Sequence, residues 1–203
     1  KTLSPSESYL FIGIGGTGQK ALRSIKETIN KTIKPNCHEQ QVRYLVVDCA
    51  ENELNQLVRD GVFEQSEFML IPYQGAHDTI SPQHIASDKK EWVDPCLYSA
   101  TGGGIPERHP GFESDGAGAW RQAGRVRLTY RGGITAINRI KQVIDRTEHP
   151  AGTKLKVFFL CSVAGGTGSG TIVDLVYMTR HVLETIFAGL YNNTRIFGYI
   201  FSP

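Results

Sequence analysis

The chain reads as an α/β protein with a mainly parallel sheet between two layers of helices, and three observations predict it. Apolar runs short enough for buried strands alternate with longer stretches whose apolar residues recur at helical spacing. Glycine-rich segments stand where such a run gives way to a helix. The alternation itself calls for parallel strands covered on both faces. Together these describe a Rossmann-like three-layer α/β/α arrangement, which binds ligands at the carboxyl ends of its strands.

The elements follow in order. Residues 8–14, "SYLFIGI", are a short buried strand, and "GIGGTG" leads from it into "QKALRSIKETINKTI", where Leu22, Ile25, Ile29 and Ile33 share a helical face. "VRYLVVD", 42–48, is a second buried strand ending on Asp48, and "ENELNQLV" is a short helix. "EFMLIP", 67–72, reads as a third strand stopped by Pro72. From 73 to 113 the prolines and "TGGG" indicate loops around one short helix near 82–92. Order returns in "GAGAWRQAGRVRLTYRGGITAINRIKQVIDRTEH", with Ile134, Ile137, Ile140, Val143 and Ile144 as an apolar face and Gly132–Gly133 as a break or kink. "KLKVFFLCS" is a central strand and "AGGTGSG" a turn. Ile172, Leu175, Val176, Leu183, Ile186 and Phe187 form the buried stripe of a long helix, and "TRIFGYIF", 194–201, closes the sheet.

At 203 residues, 40% of them apolar, the chain fits one domain, 1–203. Its net charge of +2 is small and its basic residues are dispersed among acids, so nothing calls for nucleic acid. Cys37, Cys49, Cys96 and Cys161 form no CxxC pair and read as buried hydrophobes of a reducing compartment. No apolar run approaches the roughly twenty residues of a membrane helix, and no signal peptide opens the chain. A cytoplasmic location is expected. A first residue that is Lys, and an end on "IFSP" just past a strand, read as a trimmed piece.

Three glycine-rich segments fall at strand ends or helix starts: Gly13, Gly15, Gly16, Thr17 and Gly18 with Gln19; Gly116, Ala117 and Gly118; and Ala164, Gly165, Gly166, Thr167, Gly168, Ser169 and Gly170. A phosphate needs closely approaching backbone N–H groups, which side chains would block, and a helix N-terminus adds partial positive charge. Thr167, Ser169 and Thr171 are expected to supply hydroxyl donors or a cap. Glycine at such turns also serves sterics alone, but three segments on one sheet edge point to a phosphate-rich ligand. "GIGGTG" followed by Asp48 also satisfies the dinucleotide fingerprint, which makes an NAD(P)-dependent oxidoreductase a rival and leaves the other two segments unexplained. No GxxxxGK[ST] P-loop occurs.

"AGGTGSG" resembles the tubulin signature at every position, and "GIGGTGQ" resembles the first nucleotide loop in its FtsZ form. "VVDCAE" is similar to the acidic second loop, with Asp48 in the matching aspartate position and Glu51 offset by one. "GAGAWRQAG" resembles the loop that feels the γ-phosphate, and "RIFGYIFSP" the strand and Ser-Pro that follow. The resemblance to the tubulin/FtsZ superfamily thus runs through most of the chain in order, with 60–113 as an unmatched insertion. It implies a tubulin/FtsZ-type domain binding GTP or GDP with Mg²⁺, and head-to-tail filaments that hydrolyse GTP at subunit interfaces. The three glycine segments, Gln19, Asp48 and Glu51 would be the nucleotide-binding residues. Mg²⁺ would be held mainly by phosphates and water, with Glu51 as a candidate ligand. By the same resemblance, the helix that reads guanine and the acidic loop that completes a neighbour's active site follow the last residue present here. A non-hydrolysing assembly or adaptor module is the alternative within the same fold.

Single residues divide between roles. Asp48 either caps the next helix or bonds ribose, base or hydrated Mg²⁺. Arg125 either pairs with phosphate or lies on a solvated face, and Trp120 reads as a packing residue.

Overall fold

The computed structural model describes residues 3–4, 6–33, 41–71, 116–117, 120–147 and 152–202. The short helix expected near 82–92, the loops of 73–113, Gly118, Cys37 and Cys96 lie outside these residues, as does most of the unmatched 60–113 segment.

Five parallel strands form one sheet: β1 Glu7–Ile14, β2 Val42–Asp48, β3 Phe68–Leu70, β4 Lys154–Ser162 and β5 Arg195–Phe201. Their spatial order is β3-β2-β1-β4-β5, so the chain builds outward from β1 in one direction and then restarts on its other side. That reversal places the carboxyl ends of β1, β2 and β4 side by side. Ile12 pairs with Leu45 and Phe159, and Gly13 with Val46 and Leu160. The carboxyl-terminal residues of each strand of this trio are buried on both faces and read as an apolar run, whereas the first halves of β1 and β4 alternate buried with half-buried or exposed residues.

Helix α1, Gly15–Thr32, and helix α2, Glu51–Arg59, cover one face around Leu22, Val46, Leu54, Phe68 and Leu160. On the other face lie α3 Arg121–Arg127, α4 Gly133–Asp145, α5 Gly166–Thr185 and the short α6 Ala188–Tyr191. Their core centres on Ile12, Val47, Val126, Ile140, Phe159 and Leu175. Helices on both sides of a parallel sheet make the expected three-layer α/β arrangement.

The break expected at Gly132–Gly133 takes the form of a π-helical turn, Leu128–Gly132, that joins α3 to α4 without interrupting the helical path. Two apolar-face assignments are corrected. Ile134 is 78% exposed, and the face of α4 that meets the core is Ala136, Ile140, Val143 and Ile144. Ile186 is also exposed, because α5 ends at Thr185 and the buried stripe runs instead through Leu175, Thr179, Val182 and Leu183. Thr179 belongs there because its hydroxyl donates to the Leu175 carbonyl at 2.8 Å and so carries no unpaired proton into the core. Cys49 and Cys161 are free and buried, as expected of small hydrophobes. Among the described residues no helix is long and apolar enough to cross a membrane.

Candidate functional site

The first and last glycine-rich segments prove to be mostly helix. Gly15, Gly16, Thr17 and Gly18 form the first turn of α1, and Gly166 to Gly170 open α5, leaving only Val163–Gly165 as connection. Glycine's low helix propensity is overridden because strand and helix must join within a few residues beside a neighbouring backbone. Gly15 has φ 68°, a left-handed conformation that strains any side chain, and a Cβ there would lie 3.2 Å from the Gly168 nitrogen. The two helix starts therefore touch through backbone alone. Gly13 is buried at the end of β1, and Gln19 is buried one turn into α1.

Neither helix start is capped from within. Ile14 and Gly165, the residues preceding α1 and α5, make no side-chain cap bond, and neither first turn holds an acid. The first-turn N–H groups of both helices thus lack side-chain caps and lie next to one another where Gly15 meets Gly168. Gly165 is exposed, and among the described residues nothing lies within 4 Å of where its Cβ would stand, which leaves the α5 terminus accessible from that side. Ala164 beside it is exposed, and its N–H donates to Ser162 Oγ at 3.1 Å.

The hydroxyls of the signature turn, expected as donors or a cap, are bonded within the protein. Thr167 Oγ1 donates to Asp48 Oδ1 at 3.0 Å, Ser169 Oγ to the Gly165 carbonyl at 2.5 Å, and Thr171 Oγ1 to the Thr167 carbonyl at 2.7 Å. Each hydroxyl has one proton, and each is spent inside the protein. What this turn offers an anion is its backbone N–H groups.

Asp48 closes β2 and sits where the segments converge, 3% exposed. Besides Thr167, its Oδ1 accepts from the N–H groups of Cys49 at 2.6 Å and Ala50 at 3.3 Å, and its Oδ2 accepts from Gln19 Nε2. Burial pushes its pKa up from 3.8 to about 6, and the negative charge of Glu53 adds to the rise. The bonds from Cys49, Thr167 and Ala50 pull the other way without cancelling it. Next to it the Cys49 thiol is pushed up to about 11, again by burial, with Thr167 and Arg127 opposing.

Glu51 begins α2 and is exposed. The acid nearest the first turn is Glu53, whose Oε2 lies 3.6 Å from where a Gly16 Cβ would stand. Sequence reading missed Glu53; its only signal there is a place in the first turn of the helix that follows Asp48. Among the described residues no three His, Cys, Asp or Glu side chains gather as a metal site.

The middle glycine segment joins the others through packing. Gly116, at φ 120°, would direct a Cβ to 3.6 Å from that of Ala50, and Ala117 is buried. Helix α3 then meets the start of α5 closely at two glycines. A Cβ on Gly124 would run into the Gly166 carbonyl, and one on Gly170 into the Arg121 carbonyl. Gly124 and Gly170 are thus glycines of close approach, whereas Gly165 is a glycine of open access. Two single-residue readings meet the structure here. Arg125 lies partly in solvent, its side chain 40% exposed, and its Nε and Nη2 also meet both carboxylate oxygens of Asp174 on α5, at 3.0 and 3.3 Å. Trp120 is 44% exposed rather than a packing residue, because it precedes α3 at the surface.

The site is therefore assembled from the ends of β1, β2 and β4, the starts of α1, α2 and α5, and the segment entering α3. None of the curated proteins matches the chain. A family model described as tubulin-like matches residues 10–203, a span that runs from within β1 to beyond β5. The chain belongs to the tubulin-like family.

Proposed function

We propose that the chain binds GTP or GDP with Mg²⁺ where α1 and α5 begin, assembles head to tail with copies of itself, and hydrolyses GTP at the interfaces so formed. One observation carries this reading. Two uncapped, acid-free helix N-termini meet backbone to backbone at the carboxyl edge of the sheet of a tubulin-like chain. A polyphosphate is the ligand that such an arrangement of N–H donors suits best. Mg²⁺ would neutralise phosphate charge, and Glu51 and Glu53 of the first turn of α2 are the carboxylates that would hold it through water. Hydrolysis at such a site rests on positioning and electrostatic stabilisation of the phosphoryl group, without a covalent enzyme intermediate. Acids of the neighbouring subunit would complete it, so that filament turnover is tied to catalysis. An adaptor protein is a partner consistent with such filaments. The oxidoreductase reading loses support from Asp48, since the carboxylate that would hold a dinucleotide ribose is engaged by four protein donors.

The test is a titration of fluorescent GTP into the protein with Mg²⁺, competed by GDP, ATP and NADH. Displacement by GTP and GDP alone supports the proposal, and preferential displacement by NADH overturns it. Binding without phosphate release in the assembled state would leave the non-hydrolysing assembly module as the function.

A further inference from the structure

We propose that Asp48 is a positioning residue, a hub that ties the starts of α1 and α5 to the end of β2 and does not itself contact the nucleotide. The inference rests on the nucleotide reading above. Asp48 receives donors from three elements: Gln19 on α1, Thr167 on α5, and the backbone of Cys49 and Ala50 just past β2. A carboxylate offers about four acceptor positions. Three donors converge on Oδ1 and one on Oδ2; Oδ2 keeps one acceptor position, but the residue is only 3% exposed, so the carboxylate is turned into the protein and away from the site mouth. The side chains around it are those of Gln19, Cys49, Thr167 and Glu53, with Arg127 of α3 beyond Cys49.

The tie explains why the two helix starts keep their relative position with only glycine between them. The β1–β4 pairing sets where the two helices begin, but Gly15 against Gly168 has no side chain to interlock, so the tie at Asp48 adds the fixing that the first turns themselves lack. Thr167 and Gln19 are the members of the two glycine-rich segments that bond Asp48, one from each side. The hub needs acceptors at Oδ1 and a polar partner for Gln19, but it does not need the negative charge. Asparagine keeps the first, and it meets Gln19 once that amide turns over.

This separates the hub from a ligand contact. Binding of fluorescent GTP with Mg²⁺ is compared in Asp48→Asn, Asp48→Leu, Thr167→Val and the Asp48→Leu/Thr167→Val double variant. Asp48→Asn is expected to stay within about threefold of the parent affinity, and Asp48→Leu to weaken it tenfold or more. Thr167→Val is expected to weaken it about fivefold, with no further loss when added to Asp48→Leu, since both remove the same tie. Equal losses in Asp48→Asn and Asp48→Leu would mean that the charge faces the ligand, which overturns the proposal; so would parent-like binding by Thr167→Val or Asp48→Leu. Amide hydrogen exchange without nucleotide provides the independent readout. Asp48→Leu and Thr167→Val should speed exchange at Ser169–Thr171, Asp48→Asn should not, and unchanged exchange in all three overturns the tie. If the parent chain binds no GTP, the nucleotide reading fails while exchange still decides on the hub.

Discussion

Replacing Asp48 by Asn should make the fold less sensitive to pH, and the size of the effect follows from burial. The carboxyl titrates at about 6 in the folded protein against 3.8 when solvated, a difference worth about 3 kcal/mol. Between these values the folded state holds a proton that the unfolded chain has released. Stability therefore falls as pH rises from about 4 to about 6 and is level above that. The burial cost of the charge outweighs the bonds from Cys49, Thr167 and Ala50, as the direction of the rise shows. The Asp48→Asn variant presents the same acceptor to those donors without a charge. The assay is urea unfolding of both proteins at pH 4.5, 6 and 7.5, because their difference cancels every group other than the one replaced. Part of the loss already lies below the first of these pH values, so the variant should gain on the parent by about 2 kcal/mol across the series. For a chain of this size that corresponds to roughly 4–8 °C in midpoint. Parallel stability curves for the two proteins would refute the argument, since they would mean that the carboxylate is solvated or matched by a charge.

Other outcomes follow from the same geometry. Gly170→Ala should cost about 2–3 kcal/mol in urea unfolding, because its Cβ meets the Arg121 carbonyl and backbone cannot step aside. Gly165→Leu should leave stability within about 0.5 kcal/mol, its backbone being ordinary extended chain with open space around it, yet abolish binding of fluorescent GTP. Asp174→Asn should cost less than about 1 kcal/mol, since Arg125 is 40% exposed and water replaces much of the lost attraction. Cys49 and Cys161 should resist alkylation at pH 8 in the native protein and react after denaturation, as burial both hides the thiols and pushes their pKa values up. Mass mapping of the labelled peptides checks this.

Much of the architecture was legible because buried parallel strands and amphipathic helices leave different periodicities. "VRYLVVD" and "KLKVFFLCS" read as strands without ambiguity, and both are strands to the residue. The α1 face was legible at Leu22 for the same reason. Helix ends were harder. Ile134 and Ile186 continue the apolar period past the point where a neighbouring element covers it, and periodicity does not record where cover stops. The glycine segments were legible as a site but not as structure. Nothing local distinguishes Gly165, open at a helix terminus, from Gly170, pressed on another backbone, because that difference lies in α3, far away along the chain. The inward hydroxyls escaped for a related reason: the direction of Thr167 is decided by Asp48, which only the sheet brings near.

The crossing of α3 and α5 bears on how a disturbance would travel through the molecule. Side chains at an ordinary helix contact can change rotamer and absorb part of a shift, so two helices can slip past each other by fractions of an ångström. Here peptide groups abut at Gly124 with Gly166 and at Gly170 with Arg121, and the Arg125–Asp174 pair bolts the joint on its outer side. A displacement of the residues entering α3 has no soft layer in which to dissipate. The first turn of α5 is therefore the place expected to feel such a shift, and the π turn Leu128–Gly132 continues the same helical path into α4.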